Sequence, residues 1–439
     1  MNILLATHNY YPYKWGGTEV YVASLAQYLT RQDHAVTIVA AVDDEAFETN
    51  TILFDDANLR ICSYQYNSIL VYGVQYKNIT TLQIYSRKSN HHQNSWNAFI
   101  DSNEVLKKID ILHLNGFTPT IGLDLILSLK SALQDLKIVT SYHTAISCAK
   151  ESLLFANTLK EQHHGVDDVA DMFSYRLNLP YPLAKVISWL YPSYYLPFIP
   201  AIFNLKSLTM KIVESFDQLK NLTDEWWVYS EGIKTYLIQK GIAMDKLIFE
   251  RHGIADFFIN KERNETAPYK FLYSGRMIKI KGFHTLLKAW LKVKETPSRE
   301  LWITGYPMSE DKKTLDLIKQ ISNRKDIIWL GHLDQQAIAK VYLTVNTVII
   351  PSEVYEIGPL VFHEAIASGC RIISSNIGGC KELANYYSEQ TITFCVGNAD
   401  DLASKILNNK KTDPKKTDQT ILSFNEHFKR ILSKSHFYH

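Results

Sequence analysis

Two short apolar runs, Ile3-Leu4-Leu5-Ala6 and Val36-Thr37-Ile38-Val39-Ala40, flank a segment in which Val22, Leu25, Ala26 and Leu29 recur at helical spacing. Strand-like runs separated by one amphipathic helix read as a βαβ unit, whose crossover joins parallel strands. Further strands are expected at Ile111–Leu114, Ile138–Thr140, Trp226–Tyr229 and Leu247–Phe249. A second series starts at Phe271 and continues through Leu301–Thr304, Ile327–Leu330, Val348–Ile350 and Ile372–Ser374. The polar stretch Asn260–Thr266 between them reads as a linker. At 439 residues the chain is also too long for one typical domain. The expected fold class is therefore α/β, with two Rossmann-like domains at 1–258 and 266–416. An insert at about 150–220 interrupts the first, and Ile421, Phe424, Phe428 and Ile431 mark a terminal helix within 417–439. Roughly Gln65–Asn97 and Leu153–Leu219 match no known motif.

The run Thr347-Val348-Ile349-Ile350 reads as a buried parallel strand that stops at Pro351. Gly358-Pro359 then opens a helix, with Pro expected in the first turn, where its missing N–H costs nothing. The free amides of Leu360 and Val361 would point out of that helix start, where the dipole favours an anion. Glu356 precedes the helix and Glu364 lies inside it. Amides for phosphate and two carboxylates for hydroxyl groups together suit a nucleotide sugar.

A second constellation is Tyr273-Ser274-Gly275-Arg276-Met277-Ile278-Lys279-Ile280-Lys281-Gly282. It follows a short strand and precedes a helix whose apolar face is Phe283, Leu286, Leu287, Trp290 and Leu291. Gly275 lets the chain turn out of the sheet, and Arg276 and Lys281 can converge on one anion. Arg offers a planar fork to phosphate oxygens and Lys a compact point charge.

Glu356 and Glu364, with seven residues between them and Gly358 two after the first, resemble the E-x7-E signature of retaining glycosyltransferases of family four. The continuation Arg371–Glu382, with Gly378-Gly379 at its turn, is similar to that family too. The resemblance implies a GT-B fold, with the active site between the domains and the last helix crossing back onto the first. It implies that Glu356 lies beside the donor sugar, that Glu364 holds the ribose hydroxyls, and that Arg276 and Lys281 grip the diphosphate. Transfer would need no metal and no cofactor besides the nucleotide-sugar donor, of UDP or GDP type. The acceptor would be a glycan or lipid-linked molecule, as in cell-surface polysaccharide or glycoconjugate synthesis.

The loop after the first strand, His8–Glu19, contains Gly16 and Gly17, whose bare backbone lets amides approach a sugar or phosphate closely. It resembles the family's P-x-x-G-G-x-E loop, which faces donor and acceptor. His143, at the carboxyl end of another expected strand, matches a family His near the acceptor hydroxyl. The family often has Asp next, where Thr144 stands here. His113 and Asn115 fall in a family pattern and are expected to be structural, and His252 stands where the family commonly has Asn.

The net charge of +2 is too mild to argue for nucleic acid as a partner. Five scattered cysteines without a C-x-x-C pair fit neither a zinc site nor a disulfide framework, and suit a reducing compartment. Met1–Leu5 runs straight into a strand, so a cytoplasmic location is expected. No stretch of apolar residues is long enough to span a membrane. Pro180–Leu205 is rich in Trp, Tyr and Phe broken by prolines, with Lys206 and Lys211 following. Two readings stand: an interfacial wedge giving weak peripheral membrane contact, or short helices packed over the acceptor cleft, the second being the expectation. Two rival functions also remain, a nucleotide-sugar epimerase of the same architecture and a non-catalytic subunit of a glycan assembly complex.

Overall fold

Two sheets order this chain, and each is built from the apolar runs just described. The computed structural model describes residues 1–14, 16–143, 169, 170, 173, 174, 177, 179–259, 261–263, 267–305, 312–409 and 419–438. Among them β1 (Asn2–Thr7), β2 (Ala35–Ala41), β3 (Thr51–Asp55), β4 (Leu59–Tyr66), β5 (Ile69–Tyr76), β6 (Ile111–Leu114), β7 (Lys137–Ser141), β8 (Glu225–Val228) and β9 (Leu247–Phe249) form one sheet. Its order is β3-β4-β5-β2-β1-β6-β7-β8-β9. β10 (Tyr269–Ser274), β11 (Arg299–Thr304), β12 (Ile327–Gly331), β13 (Thr347–Ile350), β14 (Arg371–Ser375) and β15 (Thr391–Phe394) form a second sheet, ordered β12-β11-β10-β13-β14-β15.

Every pairing of the second sheet is parallel, and its central strand β13 is buried along its whole length. That burial explains why β13 reads as an unbroken apolar run rather than an alternation. The first sheet is parallel from β5 to β9, with β3 and β4 added antiparallel at one edge. β4 and β5 form a hairpin turning at Asn67-Ser68, both with positive φ (50° and 64°). Such a two-residue turn is usually announced by Asn-Gly. Ser in place of Gly, and the strands' irregular polarity, hid β3, β4 and β5 from the sequence reading.

The helix Gly17–Arg31 buries Tyr21, Val22, Leu25, Ala26 and Leu29 on one face against the first sheet. The last helix, Phe424–Lys434, returns to this first domain, where Phe424, Phe428 and Ile431 join the core formed around β1. The tail beyond it is anchored by the fully buried Glu225. Its carboxylate accepts from Ser435 Oγ (2.7 Å), the His436 amide (2.9 Å) and Trp227 Nε1 (2.7 Å). The candidate residues lie on loops that follow parallel strands, or on the first turns of the helices those loops open, as open α/β sheets dictate.

The insert holds short helices, as expected. Helix Tyr181–Leu190 buries only Ala184 and Ser188, while Trp189, Tyr194 and Phe198 face outward. The short helices pack through Ala184, Ile187, Leu205 and the ring of Tyr191, which meets Phe173 at 4.8 Å, while Trp189, Tyr194, Phe198 and Phe203 stay exposed. Thr144, the linker positions Asn260 and Asn264–Thr266, and the lysine-rich 410–416 lie outside the described residues.

Candidate active site

The two motifs of the second domain are bolted together by backbone. The loop after β10 ends in a short turn, Lys279–Lys281, and Gly282 follows with φ +70°. A Cβ at Gly282 would lie 1.7 Å from the Pro351 carbonyl oxygen, so only glycine fits. The Glu353 amide donates to Ile280 O (2.9 Å) and Thr285 Oγ1 to Glu353 Oε1 (2.6 Å), tying this loop to the one after β13. Lys281 Nζ thereby reaches Glu356 Oε1 at 2.6 Å, and Ser352 Oγ donates to the same oxygen at 2.8 Å. Burial alone would raise the Glu356 carboxyl, but Lys281, Ser352 and Arg276 outweigh it and hold the group below the usual range. The Gly378-Gly379 turn locks the other side. The Gly379 amide donates to Glu356 O (2.7 Å), and a Cβ there would sit 2.4 Å from that oxygen.

The helix begins at Leu360, with Pro359 in the capping position (φ −64°, ψ 120°) and not in the first turn. The correction is one residue, set by the extended ψ of Pro359. It leaves Leu360 and Val361 as the first helical amides, which have no partner inside a helix by geometry. Glu364 is buried, and Tyr342 Oη approaches its Oε2 at 3.4 Å. Burial dominates and pushes the carboxyl up to about 7. The folded chain therefore keeps a proton that the unfolded chain releases near 4.5. The resulting stability is full at acid pH and lost as pH rises through about 7. Between pH 5 and 8 the unliganded protein should lose on the order of 3 kcal/mol relative to Glu364→Gln. Parallel stability–pH curves for the two proteins, measured by denaturant unfolding, would refute this.

The first domain supplies the facing wall. Gly16 caps helix Gly17–Arg31, and a Cβ on Gly17 would lie 3.7 Å from Leu360 Cδ1, so this loop abuts the start of the Leu360–Ala367 helix. Glu19 is buried beneath it. Burial raises its carboxyl, against the pull of Arg276 from the other domain. Arg276 is exposed, while its carbonyl accepts from the buried Tyr273 hydroxyl (2.6 Å). Its charge thus acts on Glu19 and Glu356 at once.

His143 leaves the carboxyl end of β7, and its Nε2 donates to Asn115 Oδ1 (3.3 Å). Its ring stacks on Tyr229 (centroids 4.8 Å apart) and meets Tyr21 edge-on (4.6 Å). Burial first, and His427 second, push its pKa down to about 3, so it is a neutral polar contact at working pH. His252 stacks on Tyr229 (4.0 Å), and its ring carbon Cδ2 lies 3.0 Å from where a Gly358 Cβ would be. A hydrogen-bond chain runs beside them: His427 Nε2 and Tyr21 Oη are 3.1 Å apart, Tyr229 Oη donates to Tyr21 Oη (3.0 Å), and Tyr229 Oη and Ser141 Oγ are 2.7 Å apart. It continues from Ser141 Oγ to His113 Nε2 (2.8 Å) and from His113 Nδ1 to Tyr438 Oη (2.6 Å). His113 is thus a fully buried link between sheet and C-terminal tail.

Glu382 spans the domains, accepting from the Glu231 and Gly232 amides at the start of helix Glu231–Gln239 (3.0 and 3.1 Å) and pairing with Arg251 (3.1 Å). All eleven predicted site residues lie on these facing loops or on the helix they abut, and Lys281 and Glu356 are in direct contact. Sequence reasoning did not assign roles to Glu19 or Glu382, although each ends a quoted motif, nor to Ser352, which follows Pro351. Tyr342, Tyr21, Tyr229 and His427 had no sequence signal. Among the described residues, no cluster of three or more His, Cys, Asp or Glu side chains is placed to hold a metal ion.

Two α/β domains, each built on a mainly parallel sheet, are the architecture of a GT-B protein. Residues 15–169 match the family described as Glycosyltransferase Family 4, and residues 255–421 match Glycosyl transferases group 1. Between them the matches cover well over half of the chain, which belongs to this glycosyltransferase family. An uncharacterized glycosyltransferase of Methanocaldococcus jannaschii is 32% identical over 115 residues, 26% of this chain and 29% of that relative. The glycogen synthase of Mycobacterium tuberculosis is 31% identical over 151 residues, 34% of this chain and 36% of the relative. The matched stretches span about a third of the length of these curated relatives. Among solved structures, Anabaena HepE in complex with UDP and glucose superposes with a TM-score of 0.60 at 14% identity, covering 99% of each chain. A Rickettsia africae glycosyltransferase gives 0.59 at 17% identity, covering 98% of this chain and 96% of the other. At such identities the likeness is one of fold.

Proposed function

We propose that this chain is a retaining glycosyltransferase that moves a sugar from a UDP- or GDP-type nucleotide-sugar donor to a glycan or lipid-linked acceptor, in surface polysaccharide or glycoconjugate synthesis. The observation that carries this reading is the joining of Lys281 to Glu356 (2.6 Å) at the mouth of the Leu360–Ala367 helix, opposite the Gly16-Gly17 loop. Ammonium, guanidinium and helix amides collect there for a diphosphate, and two carboxylates for hydroxyls. HepE solved with UDP and glucose supports a nucleotide-sugar donor.

In the reaction the bond from the anomeric carbon to the diphosphate oxygen breaks, and the acceptor oxygen attacks from the face the diphosphate leaves. The departing phosphate takes the acceptor proton, so retention needs no protein nucleophile and no step needs a divalent cation. Charge growing on the diphosphate is met by Arg276, Lys281 and the amides of Leu360 and Val361. Lys281 has three N–H donors, so it can keep Glu356 and still bind a phosphate oxygen. Glu356 orients the sugar, Glu364 holds the ribose, and the neutral His143 with the Gly16-Gly17 loop forms the acceptor side. Closure of the two domains excludes water.

The test separates the glutamates after a thermal-shift screen has identified the donor. Glu364→Ala should weaken nucleoside diphosphate binding about tenfold or more, since it loses contacts made in ground and transition states alike. Glu356→Gln should leave that affinity nearly unchanged and lower single-turnover rates. If the two effects are exchanged, the donor lies the other way along the helix. If no nucleotide sugar raises the melting temperature, the reading falls.

A further inference from the structure

Helix Tyr181–Leu190 is built inside out. Its buried residues are the small Ala184 and Ser188, while Val186, Trp189 and Leu190 project to solvent. Trp189 is 74% exposed, Leu190 69%, Tyr194 63% and Phe198 80%. A globular helix turns its large apolar face inward, and a contiguous exposed apolar patch marks a contact surface. The segment is supported from below. Val169, Phe173, Ala184, Leu205 and Ile212 form a small core beneath it. The buried Asn204 closes the aromatic loop on itself, accepting from the Leu196 amide (2.8 Å) and donating to Leu196 O (2.7 Å). Tyr191 Oη adds a bond to Ile202 O (2.8 Å).

Composition points to the partner. From Leu179 to Val213 the chain carries Lys185, Lys206 and Lys211 and no Asp or Glu. The next carboxylate, Glu214, pairs with Lys211 (2.6 Å). Lys206 Nζ donates to Tyr191 O (3.0 Å), which holds one cation beside the aromatic loop. Trp and Tyr with flanking Lys are the composition of a water–lipid boundary, where rings enter the headgroup layer and ammonium groups meet anionic lipid. Prolines at 192, 197 and 200 interrupt the segment, and among the described residues no helix is long and apolar enough to cross a membrane.

Topology fixes where this face lies. Helix Leu205–Leu222 runs some 27 Å back to the start of β8, and β8 is parallel to β7. The residues before Leu205 are therefore at the carboxyl edge of the first sheet, the edge from which His143 emerges.

We propose that the exposed side chains of Val186, Trp189, Leu190, Tyr194, Phe198 and Phe203 dock this segment reversibly on an anionic lipid bilayer. It sets the acceptor side of the cleft at the membrane surface. Only the step from there to a lipid-linked acceptor rests on the function proposed above.

The test is sedimentation of the full chain with vesicles of phosphatidylcholine, alone or mixed with phosphatidylglycerol. Binding should require the anionic lipid and weaken as salt rises. It should fall about tenfold or more in Trp189→Ser/Phe198→Ser, with circular dichroism unchanged. Absence of binding to anionic vesicles, or equal binding by the variant, overturns the proposal. So does a wild-type dimer that the variant converts to monomer without any vesicle binding, which would make a second copy the occupant. Neither donor nor acceptor enters this assay, so its failure is distinct from failure of the transferase reading.

Discussion

Lys281→Ala and Arg276→Ala should each lower turnover by about a hundredfold or more, the usual scale for removing a preorganised donor to developing charge. The geometry makes the two losses different in kind. Arg276 is exposed, and its removal takes away a charge felt by Glu19 and Glu356 without breaking a contact that supports the loop. Lys281 is the 2.6 Å partner of Glu356, so its removal also leaves a largely buried carboxylate with the Ser352 hydroxyl and the charge of Arg276 alone to offset burial. With side chains 29% and 15% exposed, that pair is partly screened, and Lys281→Ala should cost about 1–2 kcal/mol of stability, below the cost of a fully buried pair. Glu356 should then titrate higher, because burial is no longer outweighed by the ammonium. Single-turnover rates at saturating donor, with denaturant titrations of both variants, measure the two effects. Wild-type turnover in both variants would remove the diphosphate clamp.

Gly282→Ala should be nearly as damaging, although its side chain would touch no substrate. An Ala there must hold φ near +70° and place a methyl 1.7 Å from Pro351 O, so the backbone of one loop has to move. The left-handed conformation alone costs about 1–2 kcal/mol, and the forced displacement should bring the total to roughly 3 kcal/mol or more. Gly397 is a natural control, with φ +71° and nothing within 4 Å of its would-be Cβ. Gly397→Ala should show the conformational cost and keep activity. Gly282→Ala should also lose about a hundredfold in turnover, since a shift on the ångström scale at Lys281 misplaces the reacting groups. Equal effects of the two substitutions would show that the loop junction does not position the site.

Much of the architecture was legible because it is written in local patterns. Tyr21, Val22, Leu25, Ala26 and Leu29 face one way by helical spacing alone. β13 is readable as a doubly covered strand because it has no polar alternation. The site loops followed, since parallel strands deliver their ligand contacts at carboxyl ends. The failures share a cause as well. β4 and β5 close through an Asn67-Ser68 turn whose left-handed geometry is held by the hairpin rather than requested by glycine. Pro359 caps its helix instead of entering it because its ψ stays extended. The insert was expected as short helices packed over the acceptor cleft, and nothing local says that Ala184 and Ser188 are the residues that helix Tyr181–Leu190 buries.

The sequence by itself determined that the chain is a pair of parallel α/β domains and which loops carry cations, carboxylates and bare backbone. Those features depend on spacing within a dozen or so residues. Only the tertiary structure decided that Lys281 pairs with Glu356, that Tyr342 approaches Glu364, and that Glu382 caps a helix of the other domain. It also decided that His427 returns from the chain's end to Tyr21, and that Trp189 and Phe198 are left to face outward. Each joins or separates residues far apart in sequence. Their energies, whether Coulombic, hydrogen-bonding or desolvation, depend on distance and burial in the folded chain.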